Sequence, residues 1–311
     1  MLPSTWCRLK TKQTAKIMSF HDGKSVNNSK RLAQSAAFNI FRGLSLLVVA
    51  ILVVILSFII FRGIKVISWE FLTEMPKEGM TAGGIFPAII GTFYLVLGSM
   101  IFAFPVGVLS GIYMNEYLKD GWAKRFIKLM TNNLAGVPSI VFGLFGMALF
   151  VNRFGFGDSI LAGSLTLGLL ALPVVIRTTE ESLKAIDDSF RIGSLALGAS
   201  KWQTTSRVIL PIAFPNIITG LILSIGRVSG ETAPILFTVA AYFLPRLPNS
   251  IFDQVMALPY HLYVISTSGT NIEASRAMAY GTAFILILIV LIVNLLANWL
   301  RKYFANRVKM H

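Results

Sequence analysis

Gly43–Phe61 is an apolar run with no charged residue. Wound as a helix at 1.5 Å per residue, it is about 28 Å long, close to the thickness of a bilayer's hydrocarbon core. Five more runs follow: Ile85–Met114, Leu129–Val151, Ile160–Ile176, Val208–Gly226 and Ala277–Leu300. Lipid offers no partner to backbone N–H and C=O groups, so segments of this kind cross as helices, whose hydrogen bonds are internal. The chain therefore reads as an all-α integral membrane protein with six transmembrane helices. Composition agrees, with 55% hydrophobic and only 14% charged residues, far from the balance of a soluble domain.

The formal charge of +14 would suggest a nucleic-acid partner in a soluble protein. Here the bases lie between apolar runs, where they report orientation. The tail carries Arg8, Lys10, Lys12, Lys16, Lys24, Lys30 and Arg31 against Asp22. Lys119, Lys124, Arg125 and Lys128 follow the second run, and Arg301, Lys302, Arg307 and Lys309 close the chain. With the 177–207 segment, these fall on one face of a six-helix topology. Segment 62–84 is charge-balanced, 152–159 is short and 227–276 has few bases, which suits the other face. The expected topology is N-in/C-in: a cytoplasmic tail over 1–37, a membrane domain over 38–304 and a cytoplasmic tail over 305–311. Lipid is an expected partner and nucleic acid is not.

The first run ends in Phe61-Arg62-Gly63-Ile64-Lys65 without a small-residue cleavage site, so it is expected to be retained. Cys7 is the single cysteine, which excludes an intramolecular disulfide or a cysteine-based metal site. Gly23-Lys24-Ser25 matches the end of a phosphate-binding loop, but Met18 stands where the first glycine belongs and no apolar strand precedes it. Ala233–Pro245 is apolar but too short to cross, which predicts a re-entrant or surface-lying segment. The second run is longer than a crossing needs and holds Pro87 and Pro105, so tilt, a kink or an interfacial start is expected. Gly107-x-x-x-Gly111 and Gly226-x-x-x-Gly230 each have the spacing for close helix approach.

The exception to this apolar pattern is Arg177–Pro211. Thr178 and Thr179 before Glu180 and Glu181 read as the start of one short helix, and Asp187-Asp188-Ser189 as a break and a new N-cap. Leu195, Leu197, Ala199 and Trp202 then form a small apolar patch beside a helix-ending Gly198. Such a patch can dock into a groove on another protein or lie on the membrane surface, and residue chemistry alone does not separate the two.

The segment SLALGASKWQTTSRVILP, residues 194–211, resembles the cytoplasmic-loop motif E-A-A-x3-G-x9-I-x-L-P of ABC importer permeases. Gly198, Val208, Leu210 and Pro211 stand in the matching places. LAGVPSIVFGLFG at 134–146, SLTLGLLALPVVIRTTEESL at 164–183 and GRVSGETAPILFT at 226–238 are similar to the phosphate-specific transport (Pst) branch. GETAP with LPYHLY at 258–263 looks more like the A-type subunit (PstA) than the C-type (PstC). The resemblance runs from about Gly83 to Leu300, with the permease core at about 85–300. It implies the ABC type-1 importer permease fold and a prokaryotic inner or plasma membrane location. It further implies half of a translocation pore for inorganic phosphate, completed by a PstC-type permease and served by PstB-type ATPase subunits and a PstS-type phosphate-binding protein. The 177–207 loop, with Leu195, Leu197, Gly198, Ala199, Trp202 and Pro211, would couple to the ATPase. ATP and magnesium would be bound there, leaving this chain without a cofactor, a metal or catalysis of its own. The departure is Ile192-Gly193-Ser194 in place of Glu-Ala-Ala. Any ion pair of the missing acid would be lost or supplied by Glu180, Glu181, Asp187 or Asp188.

A phosphate crossing the bilayer must exchange hydration for donors, and the arginine fork suits two of its oxygens at once. Arg227 lies at the outer end of the fifth run with Glu231 four residues on. It is either an anion-binding group or half of a structural ion pair. Arg177 closes the fourth run, either meeting the anion or serving as a snorkelling topology residue. A permease for another oxyanion and a secondary anion transporter are the alternatives. The second lacks visible inverted halves here and leaves the amphipathic stretch without a role. An intramembrane enzyme would need a constellation that His21, His261 and His311 do not make, and His261 reads as a polar residue of an external loop.

Overall fold

The computed structural model describes residues 28–268 and 272–308. Cys7 and the Gly23-Lys24-Ser25 triplet, with most of the expected N-terminal tail, lie outside the described residues. The chain divides into two compact units, Met1–Phe58 and Ile59–His311.

Helix α1 (Asn28–Gly63) makes up the described part of the first unit and runs on past its end; it begins well before the apolar run, and its most apolar stretch has a mean hydropathy of 3.3 and no buried residue. Leu46, Leu47, Val48 and Val49, four successive positions that together go round the helix, are all exposed. That is the surface of a helix made for lipid, because the solvent around it must be apolar on every side.

In the second unit, a short helix α2 (Trp69–Thr73) and a two-stranded ribbon, β1 (Pro76–Lys77) with β2 (Ala82–Gly83), lead into α3 (Phe86–Ile112). Pro87 sits in the first turn of α3, where a missing N–H costs nothing, and the helix continues through Pro105. A π-helical turn, Tyr113–Tyr117, extends it. Next come α4 (Trp122–Ala135), α5 (Ser139–Gly146) with a π-helical extension to Arg153, and α6 (Ile160–Lys184). Helix α7 (Asp188–Ala196) and α8 (Lys201–Thr204) follow. The last helices are α9 (Leu210–Val228), the single turn α10 (Ala233–Leu236), α11 (Leu258–Thr267) and α12 (Ile272–Val308).

Among the described residues five helices are long and apolar enough to cross a membrane, and α4 with the extended α5 makes a sixth crossing only if the bent pair counts as one. The expected straight span Leu129–Val151 is instead broken by a 100° bend. Pro138 is the cause: it has no amide to donate and holds Val137 out of the helical region, so the chain turns at Gly136–Pro138. The residues before the bend belong to an amphipathic helix whose Trp122, Phe126, Leu129 and Met130 are exposed.

Helices α3 and α6 form the centre of the unit. A Cβ on Gly107 would meet Val175 Cγ1 at 2.6 Å, and one on Gly111 would meet the Thr179 Cβ at 2.7 Å, so both glycines let the backbones close together. Gly226 and Gly230 do not play this part: nothing but Asn294, at 3.5 Å, approaches the first, and only the Arg227 carbonyl, at 3.9 Å, approaches the second. On α9, Gly220 faces Thr178 of α6. Ala233–Pro245 lies half inside the protein rather than along its surface. After one helical turn it folds back in turns, the Thr238, Val239 and Ala240 amides donating to the Ile235 carbonyl, with Pro234, Ile235, Thr238 and Val239 buried, Leu236, Tyr242 and Phe243 exposed, and Val255 donating to the Val239 carbonyl. His261 also departs from expectation. It is 1% exposed on α11, with neither ring nitrogen hydrogen-bonded, and burial lowers its pKa to about 4. Thr92 Oγ1 of α3 accepts from the Leu258 amide at 2.8 Å, anchoring the start of that helix.

Candidate functional site

The polar stretch Arg177–Pro211 is built differently from its sequence reading at both ends. No helix starts at Thr178: α6 continues to Lys184, and the Thr178 hydroxyl donates to the Val174 carbonyl at 2.8 Å within the same helix. Arg177 therefore sits about 10 Å before the helix end rather than closing it. At the other end, Lys201–Val228 is one continuous helical path. Pro211 stands within it, exposed, just after a π-helical turn at Thr205–Ile209. In that turn the Leu210 amide donates to Thr205, five residues back. The widened turn accommodates the ring of Pro211, which can neither bond nor tolerate the carbonyl four residues behind it.

Between these ends lies α7. The Asp187 carboxylate caps it by accepting from the Ser189 amide at 2.8 Å, and the Ser189 side chain together with that amide holds the carboxyl below its usual range. The helix ends on a left-handed Gly198, φ +84°. Ala199 donates to the Ser194 carbonyl and Gly198 to that of Leu195, the paired bonds of a Schellman turn. Ser200 and Gln203 then form a reciprocal capping box at the start of α8. The turn presents Leu197, 91% exposed, with Leu195 and Trp202, 60% exposed, on either side and Ala199 half-buried. Ile192 is exposed too.

Helix α7 buries none of its own residues. Polar contacts hold it. Arg191 Nη2 donates to Glu116 Oε1 at 2.9 Å and to the Leu183 carbonyl at 2.8 Å. Its Nη1 donates to the Ile186 carbonyl at 2.9 Å and to Asp188 Oδ1 at 3.0 Å, and its Nε reaches both Glu116 oxygens at 3.3 Å. Every N–H of the guanidinium has an acceptor. The Glu116 side chain is 7% exposed, and removing one partner of such a buried pair costs up to about 3–5 kcal/mol. Glu116 and Arg191 were not singled out from sequence. The usable signal was a lone acid, Glu116, directly after a long apolar run. Of the four acids that could replace the missing one, Asp188 bonds within α7. Glu180, on α6, is buried between Lys128, at 2.7 Å, and Lys184. Lys128, Asn132, Arg177, Glu180, Glu181 and Lys184 line a polar cavity of about 200 Å³. There Arg177 Nε donates to Glu181 Oε1 at 2.9 Å, both side chains being exposed.

Arg227 is one residue from the end of α9. Its Nε lies 3.7 Å from Glu231 Oε1, close enough for charge attraction but beyond hydrogen-bonding distance. Among the described residues its side chain makes no hydrogen bond. At 37% side-chain exposure, its fork is held in place yet open. The structure thus places Arg227 with Glu231, and Arg177 apart from them on α6.

A mostly helical, multi-pass fold with a capped helix–turn–helix loop between two spans fits a permease subunit of the ABC importer class. The chain belongs to the family described as binding-protein-dependent transport system inner membrane component, which its residues 103–310 match. Among curated relatives it is 36% identical over 284 residues to the probable ABC transporter permease protein YqgI of Bacillus subtilis, covering 88% of this chain and 96% of the relative. It is 38% identical over 280 residues to the phosphate transport system permease protein PstA of Mycobacterium leprae, covering 88% and 90%. A chain of the bacterial alginate ABC transporter, solved with its periplasmic protein, superposes with a TM-score of 0.60 at 15% identity, covering 91% of this chain and 99% of that one. At that identity the likeness speaks for the fold.

Proposed function

We propose that this chain is the A-type permease subunit of an ATP-driven importer for inorganic phosphate in a prokaryotic plasma membrane, forming half of the pore. A C-type permease completes the pore. The chain lies N-in/C-in, so that the Gly198 turn faces the cytoplasm and seats in an ATPase subunit that binds ATP and magnesium. The chain itself is non-catalytic and receives phosphate from an external binding protein.

One observation carries this reading: Leu195, Leu197 and Trp202 are exposed around a rigid, doubly capped turn, in a chain of this family. An apolar patch between charged flanks, fixed in shape before binding, suits a protein groove. The phosphate assignment rests on the name of the Mycobacterium leprae relative and on the uncommitted fork of Arg227. In a low-dielectric path, open N–H groups of a guanidinium supply paired bonds that replace phosphate hydration, while nearby Glu231 keeps the anion from binding too tightly to leave. Arg177 offers a second cationic stop. Reconstitution with the partner permease, the ATPase and the binding protein tests the proposal. Expected is ATP-dependent phosphate uptake that excess sulfate does not suppress. Uptake of another oxyanion in preference to phosphate would overturn the substrate, and uptake without an ATPase would overturn the class.

A further inference from the structure

Helix α7 carries the candidate docking surface and yet has no buried residue of its own. A helix held by apolar burial can slide, because such contacts are non-directional. This one is fixed by directional bonds at two points. In front, the hydroxyls of Ser194 and Thr204 meet at 3.0 Å, joining it to α8. Behind, Arg191 reaches Glu116 in the π-helical extension of α3, and the Leu183 and Ile186 carbonyls at the end of α6. Leu183 is in the last turn of α6, where its carbonyl also accepts from the Ile186 amide, and Ile186 lies two residues past the end; a guanidinium is electrostatically suited to a helix C-terminus. Lys201 Nζ, 5.1 Å from the centre of the Tyr117 ring, adds a second link from α8 to the same extension. Helices α3 and α6 are locked together by the close approach at Gly107 and Gly111.

We infer that Arg191 and Glu116 form a strut that carries displacement of the docking helix into two membrane helices at once. The inference rests on the proposed docking of this loop to an ATPase. A fork with every donor bound resists both translation and rotation, whereas a lysine at the same place would keep the charge and reach only part of the acceptor set. Arg191 is thus a positioning residue for transport, acting through α3 and α6 rather than on the anion.

The test uses the reconstituted complete transporter with Arg191→Lys and Glu116→Gln, and with Leu197→Glu as a docking control. In both strut variants ATPase subunits co-purify in wild-type amounts and hydrolysis continues, while phosphate imported per ATP falls about tenfold or more. A merely structural role would lower the amount of inserted protein without changing that ratio. Unchanged import per ATP in both variants overturns the strut, as does loss of ATPase capture by them. If instead Leu197→Glu leaves capture intact, the docking reading is what fails. A measurement that needs no strut variant uses spin labels at Ile192→Cys and Lys119→Cys in a Cys7→Ser background. The strut holds their separation within about 2 Å through the ATP cycle, and a change of about 5 Å, one helical turn, overturns it.

Discussion

Arg191 binds Glu116 across seventy-five residues of sequence, and the bond fixes a helix that buries nothing. Arg227 sits beside Glu231 only four residues away, yet at 3.7 Å leaves its hydrogen-bonding groups unengaged. The same side chain is structural in one place and available in the other, and the difference lies in how many acceptors surround it.

Replacing Arg227 by Gln removes the charge and the fork while leaving the end of α9 intact. Phosphate uptake in the reconstituted transporter is expected to fall at least a hundredfold, with ATPase co-purification unchanged; charge-assisted bonds of this type are worth roughly 1.5–3 kcal/mol each. Arg227→Lys should recover part of the uptake. Wild-type uptake by the Gln variant would take Arg227 off the pathway.

Gly198 has φ +84°, and a Cβ added there would meet nothing within 4 Å, so its substitution acts through the backbone alone. Gly198→Ala should destabilise the turn by about 1–2 kcal/mol and weaken ATPase capture correspondingly, measured by titrating the ATPase subunit against the solubilised permease. Gly198→Asn, better tolerated in this region, should be milder. Equal affinity for all three would show that the turn does not shape the docking surface.

A Cβ on Gly91 would collide with the backbone carbonyl of Met256, which no rotamer change can move away. Gly91→Ala is therefore expected to destabilise the solubilised protein by about 1–3 kcal/mol, the usual cost of overpacking. Gly43, with nothing nearby, is the control, and Gly43→Ala should be neutral or stabilising. Melting temperatures in detergent decide between these outcomes.

His261 is buried on α11, which is too short to cross a bilayer, and its pKa is lowered to about 4. Above the unfolded value near 6.5 the imidazole is neutral in both states and pH has no effect through it. As pH falls from there toward 4, the unfolded chain takes up a proton that the native site refuses. Stability should drop by up to about 3 kcal/mol over that window. A melting temperature followed from pH 7.5 to 4.5 should show the loss, and His261→Gln should flatten it. A wild-type curve parallel to the variant would mean that the native imidazole accepts the proton.

The apolar runs were legible because hydropathy is a local property, and α3, α6, α9 and α12 fall where those runs lie. So were the Asp187 cap and the end of α7 at Gly198, since both are written in neighbouring residues. The third run misled because Pro138 divides it, and apolar content continues across a bend that hydropathy averaging cannot register. Thr178 and Thr179 have cap chemistry but face the interior of a continuous helix, where packing against Gly111 and Gly220 overrides it.

Sequence by itself determined that this chain spans a membrane, that it carries one amphipathic loop with a capped turn, and which arginines lie near apolar runs. Only the tertiary structure decided which charges are bound and which are open. Arg191 is closed off by an acid from α3 and carbonyls from α6, Glu180 is buried between lysines of two helices, and Arg227 keeps its fork free. Charge is a property of a residue, but its availability depends on acceptors brought within about 3 Å by packing of distant segments.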